Sequence, residues 1–123
     1  MAHEIRVDAE RGVVRVEIRG TLESAHVAPM ATAAREAARA NRLPLLYDVR
    51  EASPGDLKQT DLFWIPRTLP ALRGPEARRL RVAMVHDKEE CPIVAFWETA
   101  FRNVGLPVRA FRDEALALAW LTG

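Results

Sequence analysis

Asp48, His86 and Asp87 are the side chains with the clearest capacity for acid–base chemistry. Asp48 lies near the end of the apolar run Leu43–Val49, and the other two directly follow the apolar run Leu80–Val85. Because the carboxyl ends of parallel strands meet at one edge of a sheet, we expect the three side chains at the same edge. A His/Asp/Asp cluster there could supply an acid–base pair or part of a metal site.

The other histidines do not extend this cluster. His3 and His26 come from segments without a ligand spacing to His86, and separated histidines without a motif are typical of a surface. We therefore predict no catalytic residue, no metal site and no cofactor. A hydrolase or isomerase using His86 with Asp48 or Asp87 is the least favoured hypothesis, since it requires these side chains in hydrogen-bond contact within one pocket.

Cys91 is the only cysteine, which excludes an internal disulfide and any multi-cysteine metal site. It precedes Pro92 at a predicted helix start, where reactive thiols do occur. No histidine partner is indicated by the spacing, so we predict a capping or half-buried structural thiol.

Two pairs of adjacent aromatic residues, Phe63–Trp64 and Phe96–Trp97, fall in segments with a helical pattern. Neighbours on a helix point about 100° apart, so one member of each pair can miss the core. One interpretation is a wide core-facing stripe. The other is an apolar surface or groove for a homodimer, a partner protein or an apolar ligand.

Composition narrows the function classes. The chain has 123 residues, of which 49% are hydrophobic and 28% charged, as expected for one ordered domain, residues 1–123. The 18 basic and 17 acidic residues nearly cancel, which argues against nucleic acid or membrane binding driven by bulk charge. One basic run is predicted to be a solvated loop interrupted by Glu76: Arg67, Arg73, Arg78, Arg79 and Arg81.

The N-terminal residues are charged where a signal peptide is apolar. No apolar run approaches the ~20 residues of a membrane span. We therefore expect a cytoplasmic protein without membrane insertion.

Hydrophobic periodicity predicts the elements that position these residues. An antiparallel hairpin is followed by a helix that starts near Pro29. A second helix, Leu57–Thr68, should end or kink at Pro66, and Leu69–Arg79 reads as a loop or broken helix. The remaining predicted strands are Leu43–Val49, Leu80–Val85 and Val108–Phe111. Two further helices are predicted to begin at Pro92 and after Asp113. The last helix should pack four residues inward: Ala115, Leu116, Ala119 and Trp120. The order ββαβαβαβα indicates an α/β fold, a mixed, mostly parallel sheet of about five strands flanked by about four helices.

Three segments together resemble STAS-type domains, in particular the small stand-alone bacterial SpoIIAA-like proteins. They are Gly20-Thr21-Leu22 after the hairpin, the strand Leu45–Val49, and the ending Val108–Leu121. The resemblance covers nearly the whole chain in element order. It implies a regulatory or binding module with no metal and no catalytic machinery.

The resemblance also suggests a switch whose serine this chain lacks at the matching position. In phosphorylated anti-sigma antagonists of this type, a serine directly follows the aspartate at the strand–helix junction. Here Val49 follows Asp48, and Ser53 lies five positions after Asp48. We therefore expect a binding edge without a standard phosphoserine switch.

The favoured prediction is a non-enzymatic module that contacts a protein partner or a second copy of itself. Its expected contact residues are Asp48, Arg50 and Ser53 at the strand–helix edge, His86 and Asp87 beside them, and Phe63 and Trp64 on the flanking helix. The alternative is a carrier that holds a small apolar or amphipathic ligand between helices and sheet, as the aromatic and leucine content of residues 57–72 suggests.

Overall fold

The computed structural model describes residues 1–123 and contains one five-stranded sheet. The strands are β1 Ala2–Asp8, β2 Val13–Thr21, β3 Leu45–Ser53, β4 Val82–Val85 and β5 Val108–Phe111. The helices are α1 Ser24–Asn41, α2 Gln59–Thr68, α3 Pro75–Arg79, α4 Pro92–Arg102 and α5 Glu114–Thr122, with a 3₁₀ turn at Pro70–Leu72.

The strands lie in the order β1-β2-β3-β4-β5. The hairpin β1–β2 is antiparallel, and every later neighbour is parallel. One row of paired residues, Val14, Leu45, Val82 and Val108, crosses four strands and is fully buried. The predicted α/β class, the hairpin and the mixed sheet are confirmed.

Alternation along the strands gives the sheet two different faces. The larger core is on the face covered by α1, α2 and α4, to which α3 adds Ala77. The smaller core is on the opposite face under α5 alone, with members Val13, Leu46, Ala83, Val85, Ala117 and Leu121. The part of this second face that α5 does not cover carries charged side chains from β2 and β3.

The helix boundaries predicted from the two prolines were wrong. Helix α1 begins at Ser24, so Pro29 lies inside it and not at its start. Helix α2 likewise passes through Pro66 and ends at Thr68. Pro29 is on the exposed side of its helix, where water can satisfy the carbonyl that loses its donor. Pro66 affects only the last turn of α2.

The predicted strand–helix junction at Asp48 was also wrong. Strand β3 continues to Ser53, because β2 extends to Thr21 and supplies it with a pairing partner. Asp48 is therefore inside the strand, opposite Glu17 on one side and Val85 on the other.

The last helix is rotated from its predicted orientation. Ala117 and Leu121 are buried, whereas Leu116 is 60% exposed and Ala115 and Ala119 are also exposed. Of the four residues predicted to pack inward, Trp120 alone packs against the smaller core. Both buried residues share a helical face with Glu114, three and seven positions earlier, and Glu114 is paired with arginines on the sheet. The stretch predicted as a loop or broken helix forms the 3₁₀ turn and α3.

Candidate functional site

A group of five paired charged residues lies where β2, β3 and the start of α5 meet. We call it the charged cluster; its members are Arg15, Glu17, Asp48, Arg50 and Glu114. Arg50 donates to both oxygens of Asp48, at 2.9 and 2.8 Å, and to Glu114 at 2.9 Å. Arg15 donates to Asp48 at 3.3 Å, to Glu17 at 3.3 Å and to Glu114.

The cluster holds Asp48 in its ionised form. Partial burial raises the pKa of Asp48, but the hydrogen bonds from Arg50 and the charges of Arg50 and Arg15 outweigh this and keep the pKa below its ordinary value. Burial lowers the pKa of Arg15, while Glu114 and Asp48 more than compensate, so its pKa is raised. A carboxylate paired with two guanidiniums is a poor proton acceptor and a poor metal ligand.

The His/Asp/Asp cluster does not form. His86 follows β4 and donates its backbone N–H to the Phe111 carbonyl at 3.0 Å, while Asp87 is exposed. The Nδ1 atom of His86 is buried without a protein hydrogen-bond partner, so it contacts neither aspartate. No three His, Cys, Asp or Glu side chains are grouped so as to hold a metal ion.

Ser53 and Cys91 occupy different surroundings. Ser53 ends β3, is exposed, and its Oγ lies 3.4 Å from the hydroxyl of Thr21. Helix α2 begins only at Gln59, so Ser53 is not at a helix N-terminus. Cys91 is a half-buried free thiol directly before α4.

The two aromatic pairs have different roles. Trp97 is buried in the larger core and packs against Phe101 with the two rings tilted by 46°, as the core-stripe interpretation predicts. Phe63 and Trp64, which we call the aromatic patch, are 38% and 57% exposed. Their rings meet edge to face at 5.0 Å, and the Arg67 guanidinium lies 3.8 Å from the centre of the Phe63 ring.

The charged cluster and the aromatic patch lie on opposite faces of the sheet. The side chain of Asp48 points to the α5 side, as does that of Leu46 two residues earlier. Helix α2 packs its buried Leu62 into the larger core on the other side. Asp48 and Arg50 therefore do not form one contact surface with Phe63 and Trp64, and that expectation was wrong.

An apolar cavity of about 80 Å³ lies between α1, α2, α4 and the sheet. Met30, Tyr47, Leu62, Met84 and Trp97 are among its lining residues. Its only charged lining residue is Arg35, which keeps 7% of its surface exposed. Burial raises the pKa of the lining residue Tyr47 to about 12, although the charge of Arg35 opposes this.

Sequence reasoning missed three residues that organise these sites: Arg15, Arg35 and Glu114. Arg15 alternates with Val14 and Val16, a pattern typical of a solvent-facing position, but α5 covers that face. Arg35 shares a helical face with Ala31 and Ala38, four positions before and three after it, and this spacing was the available signal for its burial. The sequence around Glu114 contains no signal that distinguishes it from any other acidic residue in the first turn of a helix.

The element order, the mixed sheet and the placement of the helices define a STAS-type, SpoIIAA-like fold. The anti-sigma factor antagonist SpoIIAA, in its unphosphorylated form, matches with a TM-score of 0.59 and 14% identity, over 99% of each chain. A SpoIIAA-like protein of the DUF3478 family from Shewanella loihica PV-4 matches with a TM-score of 0.53 and 21% identity, over 98% of this chain and 92% of that one.

These structural likenesses establish the fold. No protein-family model matches the chain, and no curated protein matches it. None of its helices combines the length and the apolar character needed to cross a bilayer.

Proposed function

We propose that residues 1–123 form one non-enzymatic binding module of STAS type, which acts by contact with a protein partner or a second copy of itself. The observation that carries this proposal is the aromatic patch. Two adjacent large apolar side chains, Phe63 and Trp64, face solvent at 38% and 57% exposure. Exposed aromatic residues of this kind are enriched in protein–protein contacts.

The fold supports a regulatory role. One structural neighbour is an anti-sigma factor antagonist in its unphosphorylated form. In this chain Val49 follows Asp48, and Asp48 is engaged with Arg15 and Arg50. We propose that contact is made without a phosphoserine switch, through the aromatic patch and not through the charged cluster.

Size-exclusion chromatography with light scattering tests the self-association form of this proposal. The variant is Trp64→Glu, and the matched control is Leu116→Glu, whose parent side chain is 60% exposed on the opposite face. We expect a concentration-dependent dimer in the parent protein and the control, and a monomer in the Trp64→Glu variant. An unchanged monomer in all three samples would exclude the homodimer and leave only a different protein as partner.

A second candidate function is the carriage of a small apolar or amphipathic ligand, and the apolar cavity favours it. Its helix-covered position is typical of pockets that hold small molecules. Mass spectrometry of protein purified without denaturation and then extracted with solvent tests this candidate. A small apolar or amphipathic molecule in the extract would support it, whereas protein that emerges empty and takes up no added apolar compound would count against it.

A further inference from the structure

Arg35 is buried without an ionic partner. It projects from α1 against the larger core and keeps 7% of its surface exposed. Its Nη1 atom is shielded from solvent and has no hydrogen-bond partner in the protein. Burial lowers the pKa of Arg35, and the only group that opposes this is Tyr47.

A guanidinium in this position is unfavourable by itself. Desolvation removes hydration from Nη1, and no carboxylate of the chain forms an ion pair with Arg35 in its place. Arg15 makes the contrast clear, because it is equally buried but contacts Glu17, Asp48 and Glu114. The fold therefore pairs one buried arginine fully and leaves the other with unused donor capacity beside an apolar cavity.

We propose that the apolar cavity is a binding site for a small amphipathic carboxylate, which pairs with Arg35 and places its alkyl chain among Met30, Leu62, Met84 and Trp97. The inference rests on the second candidate function and specifies its ligand class. A carboxylate supplies both a counter-charge and acceptors that match the donors of a guanidinium. Every other residue that lines the cavity is hydrophobic, as an alkyl chain requires.

The cavity volume restricts the ligand to a short chain. Its size of about 80 Å³ is small beside the ~300–1,000 Å³ of pockets that hold drug-sized molecules. Hexanoate is a suitable probe, and hexan-1-ol has a chain of the same length without the charge.

Methyl NMR of labelled methionine provides a direct test. Two of the three methionines, Met30 and Met84, line the cavity, whereas Met1 does not and serves as an internal reference. Titration with hexanoate should shift the Met30 and Met84 signals saturably and leave Met1 in place. Hexan-1-ol should bind at least about tenfold more weakly, the factor that ~1.4 kcal/mol represents.

Two arginine variants separate the role of Arg35 from general positive charge. Arg35→Met should bind acid and alcohol with equal affinity, because it keeps an unbranched side chain and loses the charge. Arg39→Met is the matched control, since Arg39 is exposed on the same helix and does not line the cavity. We expect this control to keep the parent preference for hexanoate.

The possible failures are distinguishable. Equal affinity of the parent protein for hexanoate and hexan-1-ol would overturn the carboxylate inference and leave the apolar-ligand function standing. If neither probe shifts Met30 or Met84, both proposals are overturned. A loss of preference in Arg39→Met as large as in Arg35→Met would also overturn the inference. The comparison of acid with alcohol on the parent protein needs no variant to fold.

Discussion

The guanidinium of Arg15 lies 3.3 Å from the carboxylate of Asp48 across the parallel pair β2–β3, with side chains that are 7% and 15% exposed. This contact joins a residue that looked like an ordinary surface charge to the aspartate that looked like a candidate acid. Its consequence is structural, since Asp48 neutralises Arg15, which α5 and the sheet enclose.

Asp48→Asn should lower the free energy of unfolding by about 1–3 kcal/mol at neutral pH, because it leaves two guanidiniums short of a counter-charge. The pKa of Asp48 is lowered in the fold, so its stabilisation is present above the ordinary value of about 3.9 and is lost as pH falls through the lower folded value. Denaturation at several pH values should show the two proteins converging in acid. Asp87→Asn, at an exposed site, should stay within about 0.5 kcal/mol of the parent.

Glu114→Gln should loosen α5 selectively. Glu114 contacts both Arg15 and Arg50 and is on the helical face that buries Ala117 and Leu121. Relative to the parent protein, amide hydrogen exchange should accelerate more in α5 than in α4. The free energy of unfolding should fall by about 1–2 kcal/mol, a value between those of surface and buried ion pairs. Glu76→Gln is the control, because Glu76 is also a first-turn acid but forms no ion pair. Uniform acceleration over the chain would contradict the local role.

Replacement by alanine should affect stability little at Trp64 and strongly at Trp97. Trp64→Ala is expected to change the free energy of unfolding by less than about 0.5 kcal/mol, because Trp64 is 57% exposed. Trp97→Ala should cost about 3–5 kcal/mol, since it removes a buried indole from the larger core. Denaturant titration of both variants measures the difference. A large loss in Trp64→Ala would mean that the indole supports the fold and is not a free contact surface.

Tyr47 is the only tyrosine, so the absorbance of tyrosinate reports on it alone. Burial raises its pKa to about 12, against an opposing effect of Arg35. In the folded protein the phenol should therefore ionise at a pH well above about 10, the pKa of tyrosine in an unfolded chain. Because the pKa is raised by folding, the stability contributed by the buried neutral phenol is intact below about pH 10 and is lost as pH rises through the folded pKa. Tyr47→Phe should remove this alkaline loss. A folded-state midpoint near 10 would contradict the burial of the phenol.

Gly55→Ala should be more harmful than Gly74→Ala. Both glycines have positive φ angles, 59° and 97°, so both variants carry backbone strain. A Cβ at Gly55 would lie 2.0 Å from the carbonyl oxygen of Leu22, whereas nothing lies within 4 Å at Gly74. We expect Gly55→Ala to cost about 1–3 kcal/mol more, the range for overpacking. Thermal denaturation of the two variants tests this difference, and equal losses would show that the loop at Gly55 moves freely away.

The sequence predicts most of this fold because its signals are local. Alternation identifies the hairpin, and the short run Val108–Phe111 forms the predicted strand. The errors arise where contacts with residues distant in the sequence determine the length of a strand or the orientation of a helix. Strand β3 extends past Val49 because β2 offers further partners, and the rotation of α5 follows from arginines far away in the chain.

The candidate sites were harder to predict for the same reason. Trp64 and Trp97 stand in equivalent aromatic pairs, yet only packing against other helices determines which is buried. The opposite placement of Asp48 and the aromatic patch depends on which face of the sheet each helix covers. Neither relationship is encoded within a short window of sequence.

The position of α5 in the chain has a consequence for folding during synthesis. The smaller core needs Ala117 and Leu121, which follow all five strands along the chain. Until α5 has been made, the apolar side chains of Val13, Leu46, Ala83 and Val85 lack their cover. A nascent chain that lacks α5 therefore exposes one apolar face of the sheet, and this face is buried only when the last helix packs against it.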